Sequence, residues 1–168
     1  TTYRPTGDVA PTEWDAETKA LLCGVVHDEN ARFQHGISAN AGIFSDLEDM
    51  TRFTQMLACG GKLPDGRAYL SPATMRAALL NRTPGPDHEF RGLGFHLAGS
   101  PANFLGDLMS PRAYGHTGFT GTSFAVDPET GLFVVLLTNR VCPTRENPRL
   151  IRLRSLIHNV AAAEASLL

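Results

Sequence analysis

The apolar positions fall into two periods. Leu47, Met50, Phe53, Met56 and Leu57 recur at helical spacing. Ser45 precedes them as an N-cap and Glu48, three residues on, completes a capping box, while Gly60-Gly61 ends the run. Such a cap contributes about 1 kcal/mol, which makes Ser45 a structural residue rather than a nucleophile. Ser71-Pro72 opens a second helix, to about Leu80, with Ser as the cap and Pro at the first helical position. Asn147-Pro148 repeats that signal before Leu150, Leu153, Leu156, Ile157 and Val160, an apolar stripe that should lie back across a sheet. Asp28 caps a short turn over Glu29–Phe33.

The other period is that of strands. Gly92–Leu97 and Ala113–Thr117 read as strands. In Thr122–Val126, Phe124 and Val126 take one face, Ser123 and Ala125 the other. Asp127-Pro128-Glu129-Thr130-Gly131 is a hairpin turn. Leu132–Thr138 is nearly all apolar, which predicts a strand buried on both faces and helices covering the sheet. The fold class is α+β of the α/β sandwich type: an antiparallel sheet flanked by helices. One domain spans 1–168: an irregular lead-in (1–23) with Pro5, Gly7 and Pro11, a helical and loop region with the first strand (24–111), then the sheet and last helix (112–168). Thr18–Gly24 fits helix or strand, Trp14 has a packing role, and Ala98–Arg112 forms a lip of a cleft.

Composition narrows the function. With 168 residues, 42% apolar, the chain can bury a core as one domain. A net charge of −2 offers no basic surplus for nucleic acid. No apolar run is long enough to span a bilayer. Cys23, Cys59 and Cys142 show no C-x-x-C spacing and read as buried free thiols. No charged-then-apolar leader opens the sequence, and localisation stays open.

Candidate chemistry concentrates in Tyr114–Pro128. A Gly-rich polar half carrying His116, Thr117 and Gly118 runs into an alternating strand, the pattern of a strand lining a reactive cleft. His116 brings an imidazole, a side chain whose unperturbed pKa lies near neutrality. His27-Asp28-Glu29 fits a capping turn; no H-E-x-x-H is present, and a metal-dependent hydrolase built on His27, Asp28 and His35 is the weaker alternative. No metal and no cofactor is expected. His35, His88, His96 and His158 lack a partner pattern, and Arg140 pairs with a carboxylate or a helix end.

Tyr114-Gly-His-Thr-Gly-Phe-Thr-Gly-Thr-Ser123, with Leu132–Arg140 after a turn, resembles the C-terminal part of the serine β-lactamase and penicillin-binding protein superfamily, in its class C-like esterase and peptidase branch. Gly24–Ala31, Ala41–Ser45 leading into Asp49–Phe53, and Arg91–Phe95 match in the family's order. The resemblance implies that His116 lies beside the nucleophile and that Thr117 and Gly118 contact substrate. It also implies that Phe119 offers its backbone N–H to an oxyanion, worth about 3 kcal/mol in the transition state. The family's nucleophile lies in Ser-x-x-Lys. No serine here has Lys three residues on, since the only lysines are Lys19 and Lys62, and no Tyr-x-Asn is present. The resemblance therefore implies part of a serine hydrolase acting on β-lactams, D-amino acid peptides or esters, with the isolated chain inactive. Its partners are a small-molecule or peptide substrate and a missing N-terminal portion or second copy, with no nucleic acid. The alternative is a non-catalytic, hydrolase-like binding or interaction module.

Overall fold

A computed structural model of the protein describes Pro5, residues 7–83, Gly85, residues 88–101 and residues 103–167. The first residues of the lead-in, and part of the Pro/Gly loop at 81–88, lie outside the described residues. The element order is β1 (Trp14–Asp15), β2 (Ala20–Leu21), α1 (Glu29–Phe33), α2 (Leu47–Ala58), α3 (Pro72–Ala78), β3 (His96–Leu97), β4 (Tyr114–Thr117), β5 (Ser123–Val126), β6 (Phe133–Leu136) and α4 (Arg149–Ala165). This is an α+β fold.

The main sheet is antiparallel in the order β3-β4-β5-β6. Tyr114 pairs with Val126, His116 with Phe124 and Thr117 with Ser123; Phe124 pairs in turn with Val135. The alternation read in β5 sorts its side chains as expected. Val126 and Phe124 join Tyr114, Met56, Leu57 and Met75 in a core beneath α2. Ala125 joins Ala113, Phe104, Leu105 and Met109 on the other face, where Ala162 of α4 closes the layer. Tyr114 ties the first core together, donating its buried hydroxyl to Leu57 O at 3.0 Å; burial pushes its pKa up to about 12.

Two caps follow the sequence. Asp28 accepts from Ala31 N at the start of α1, and Ser71 from Thr74 N at the start of α3. Other expectations need correction. The cap of α2 is Asp46, which accepts from Asp49 N; a carboxylate one residue later displaces Ser45. Within α2, Leu47 and Phe53 of the apolar stripe stay exposed. Asn147 accepts from Arg149 N, so α4 starts one residue later than expected, with Pro148 at the cap. The lead-in is not wholly irregular, because β1 and β2 form a hairpin, with Lys19 at φ 53° in its turn. Trp14 is exposed rather than packed. Cys23 and Cys59 are free but exposed, and Cys142 is half-buried. Gly92–Leu97 shortens to His96–Leu97 because residues 92–95 turn back on themselves: Gly92 N donates to Phe95 O at 2.9 Å, Gly94 takes φ 80°, and Arg91 bridges to His96. The loop read as a lip also contributes to the interior: its Phe104, Leu105 and Met109 form the second core.

The largest corrections concern β6 and α4. β6 is an edge strand among the described residues, and all four of its residues are half-buried rather than enclosed. Most of the α4 stripe faces outward: Leu153, Leu156 and Val160 are 46%, 51% and 63% exposed and Ile157 is half-buried, while Leu150 of the same stripe is buried. With Leu150, the polar Arg154 and His158 are buried, and Ala162 continues the i+4 row. Hydrogen bonding sets this rotation. Arg154 reaches carbonyls at Gly118 and Thr122, and His158 reaches Phe104 O at 2.8 Å. A buried carbonyl left unpaired costs about 1–3 kcal/mol, enough to outweigh partial exposure of a leucine.

Candidate active-site wall

The end of β4 and the turn after it, residues 118–122, form one unit. Gly118 N donates to Thr122 O at 2.7 Å and Gly121 N to Gly118 O at 3.1 Å. Arg154 Nη2 donates to Gly118 O at 2.8 Å and Thr122 O at 3.0 Å. Arg140 Nε donates to Phe119 O at 2.7 Å, and Arg140 N to Thr120 O at 2.9 Å. Thr138 Oγ1 donates to Gly121 O at 2.6 Å. Each carbonyl from 118 to 122 is thus held from within the protein. Among the described residues, no acceptor is paired with the N–H of Phe119 or Thr120. Two glycines permit this path. A Cβ at Gly118 would collide with Thr122 Oγ1, and Gly121 adopts φ 127° against Thr138 O.

His116 precedes this turn and is half-buried. Its Nδ1 lies 2.9 Å from Thr117 O. A carbonyl only accepts, so Nδ1 carries the proton and Nε2 of the neutral ring keeps its lone pair. Nε2 is then the nitrogen able to take up a proton. The ring of His96 meets that of His116 edge-on, with centroids 4.8 Å apart.

His96 is buried, and its Nδ1 has no hydrogen-bond partner among the described residues. The nearest carboxylate oxygen, on Glu89, is 3.8 Å away, beyond hydrogen-bond reach. Burial, with Arg91 and His116 adding repulsion, lowers its pKa to about 4 despite Glu89. The folded form therefore binds fewer protons than the unfolded chain between these pKa values. Stability is present above about pH 6.5 and is lost as pH falls towards 4, by up to about 3 kcal/mol. Urea unfolding at pH 7 and pH 4.5 should show this loss, and His96→Gln should remove most of it. An equal loss in the variant would assign it elsewhere.

Phe119 stands over a polar platform. The ring of His27 stacks on it at 5.7 Å and 21°, and the Arg140 guanidinium lies 4.3 Å from its centroid. His27 Nε2 donates to Glu13 at 3.0 Å. Glu13 accepts from the Arg145 side chain at 2.7 Å and from Arg145 N at 3.0 Å. Those bonds to Arg145, aided by His27, hold the Glu13 carboxyl down at about 2. Arg145 reaches Glu29 as well, at 2.6 Å.

The structure brings His116, Thr117, Gly118 and Phe119 together at one strand end. It does not assemble His27, Asp28 and His35. Here His27 is engaged by Glu13, Asp28 caps α1, and His35 is exposed at φ 59°. No group of three or more His, Cys, Asp or Glu side chains suited to a metal occurs among the described residues. Sequence reading missed the residues that hold the wall: His96, Arg140 as a ligand of Phe119 O, Arg145 with Glu13, and Arg154. The one available signal was Arg154 and His158 interrupting the leucine pattern of α4 at i, i+4. No helix among the described residues is long and apolar enough to cross a membrane.

Comparison with known proteins shows the family. The β-lactamase family model matches residues 1–159. Proteins named "Putative D-alanyl-D-alanine carboxypeptidase" from Salmonella paratyphi B and Salmonella newport are each 39% identical over 131 residues. That match covers 76% of this chain and 29% of either relative, so the chain spans under a third of their length. A β-lactamase from Mycobacterium bovis superposes with a TM-score of 0.61 at 24% identity, over 74% of this chain and 46% of that one, a likeness of fold.

Proposed function

The chain belongs to the β-lactamase family, and from that premise we propose that it forms the His-Thr-Gly wall of a serine acyl-hydrolase site, its nucleophile supplied by a segment outside these 168 residues. The observation that carries this reading is the 118–122 turn. Its carbonyls are all engaged while, among the described residues, the N–H groups of Phe119 and Thr120 have no acceptor, just beyond His116 and Thr117. Free, fixed amides suit an oxygen that gains negative charge during acyl transfer.

In this reading a serine attacks the substrate carbonyl, and the Phe119 N–H binds the resulting oxyanion. The leaving group departs, an acyl-serine forms, and water then releases the acid. His116 Nε2 takes up or returns a proton beside the reacting centre, while Thr117 and Gly118 line the substrate's path. Substrates are peptides ending in D-alanine, β-lactams or small esters, the first suggested by the printed name of the relatives. The partner segment covers the β6 edge and the outward face of α4 at Leu153, Leu156 and Val160. An open strand edge and an apolar helix face both favour being paired.

The test is turnover of nitrocefin and p-nitrophenyl acetate. The 168-residue chain alone should show none. A polypeptide joining it to a Ser-x-x-Lys segment should turn over at least one. No turnover in the joined form would favour a non-catalytic binding module, and turnover by the chain alone would overturn the assignment of the nucleophile.

A further inference from the structure

Arg140 and Arg154 approach the 118–122 turn from two separate elements. Arg140 follows β6, and its guanidinium donates to Phe119 O, Arg145 O and Asn147 O, at 2.7, 2.9 and 3.1 Å. Arg154 comes from the inner face of α4, is buried, and grips Gly118 O and Thr122 O through one nitrogen. Neither forms an ion pair with a carboxylate among the described residues. A guanidinium whose bonds go to carbonyls, with no carboxylate beside it, has no counter-charge to neutralise it. Both charges therefore stand behind a turn whose unpaired groups are N–H donors. Arg145 nearby differs, since it is neutralised by Glu13 and Glu29.

We propose that Arg140 and Arg154 are positioning residues: they clamp the carbonyls of the 118–122 turn so that the Phe119 N–H is fixed for an oxyanion. This rests on the acyl-hydrolase reading given above. Arg140 bridges Phe119 O to the 145–147 segment, a span that needs the planar fork of arginine. Lysine in its place would keep the charge and lose the bridge.

The experiment is ¹⁵N relaxation of the 168-residue chain. Phe119, Thr120 and Gly121 should show order parameters near about 0.85, falling below about 0.6 in Arg140→Gln while Ser123–Val126 stays rigid. Arg140→Lys should not restore order. Arg154→Gln should act alike; because it removes a buried guanidinium from between α4 and the turn, the half-buried Arg140 carries the test if that variant does not fold. A role in stability alone would lower the unfolding midpoint without loosening the turn selectively. The second readout uses the polypeptide joined to a Ser-x-x-Lys segment, where Arg140→Gln should lower kcat about 100-fold with KM changed less than twofold. An unchanged order parameter at Phe119 in Arg140→Gln overturns the clamp. Loss of order with kcat unchanged overturns instead the oxyanion reading on which the positioning role rests.

Discussion

Asp127→Ala is expected to lower the unfolding temperature by at least about 10 °C, a loss of about 3–5 kcal/mol. Asp127 is 1% exposed and stands at the corner between β5 and β6. It accepts from Ser110 N at 2.8 Å, Ser110 Oγ at 2.7 Å and Glu129 N at 3.0 Å. Burial alone would push its pKa up, but the bonds from Ser110 and from the amides of Glu129 and Thr130 outweigh it and the carboxyl titrates low. Alanine would strand three donors, two of them on the loop that fills the second core. The contribution is present above the ordinary aspartate range and is lost as pH falls through the depressed folded value. Thermal unfolding followed by circular dichroism checks this. Asp127→Asn, which keeps an acceptor but not the charge, should lose about half as much. A shift under about 3 °C for the alanine variant would show that the corner does not depend on the carboxylate.

His116→Ala is expected to leave stability almost unchanged and to remove most of the catalysis. The side chain is half-buried, and its one hydrogen bond is to the carbonyl of the next residue, so the fold does not depend on it. A positioned imidazole contributes about 10²–10⁴-fold to proton transfer. In a polypeptide that carries the Ser-x-x-Lys segment, kcat for nitrocefin should fall within that range, with the unfolding temperature moved less than about 3 °C. Retention of kcat within about threefold would place the proton transfer on another group and leave His116 as a wall residue.

The sequence revealed local chemistry well and long-range polar contacts poorly. The alternation in Ser123–Val126 and the caps at Asp28 and Ser71 each follow from neighbours in the chain. The face of α4 did not. Its leucines mark an apolar stripe, but Arg154 and His158 turn the other side inward by binding carbonyls 36 and 54 residues away. No periodicity encodes such a partner. The same blindness hid Glu13, whose bonds to Arg145 cross 132 residues. The long apolar run at 132–138 gave a strand correctly but not its place at the sheet edge, since pairing depends on which strands are present rather than on composition.

The most direct measurement is the identity of the acylated residue. The 168-residue chain, and the same chain joined to a Ser-x-x-Lys segment, would each be incubated with a fluorescent penicillin, digested and mapped by mass spectrometry. A stoichiometric adduct is expected only in the joined polypeptide, on the serine of that segment. A stoichiometric adduct on a serine within residues 1–168, such as Ser38 or Ser45, would contradict that expectation.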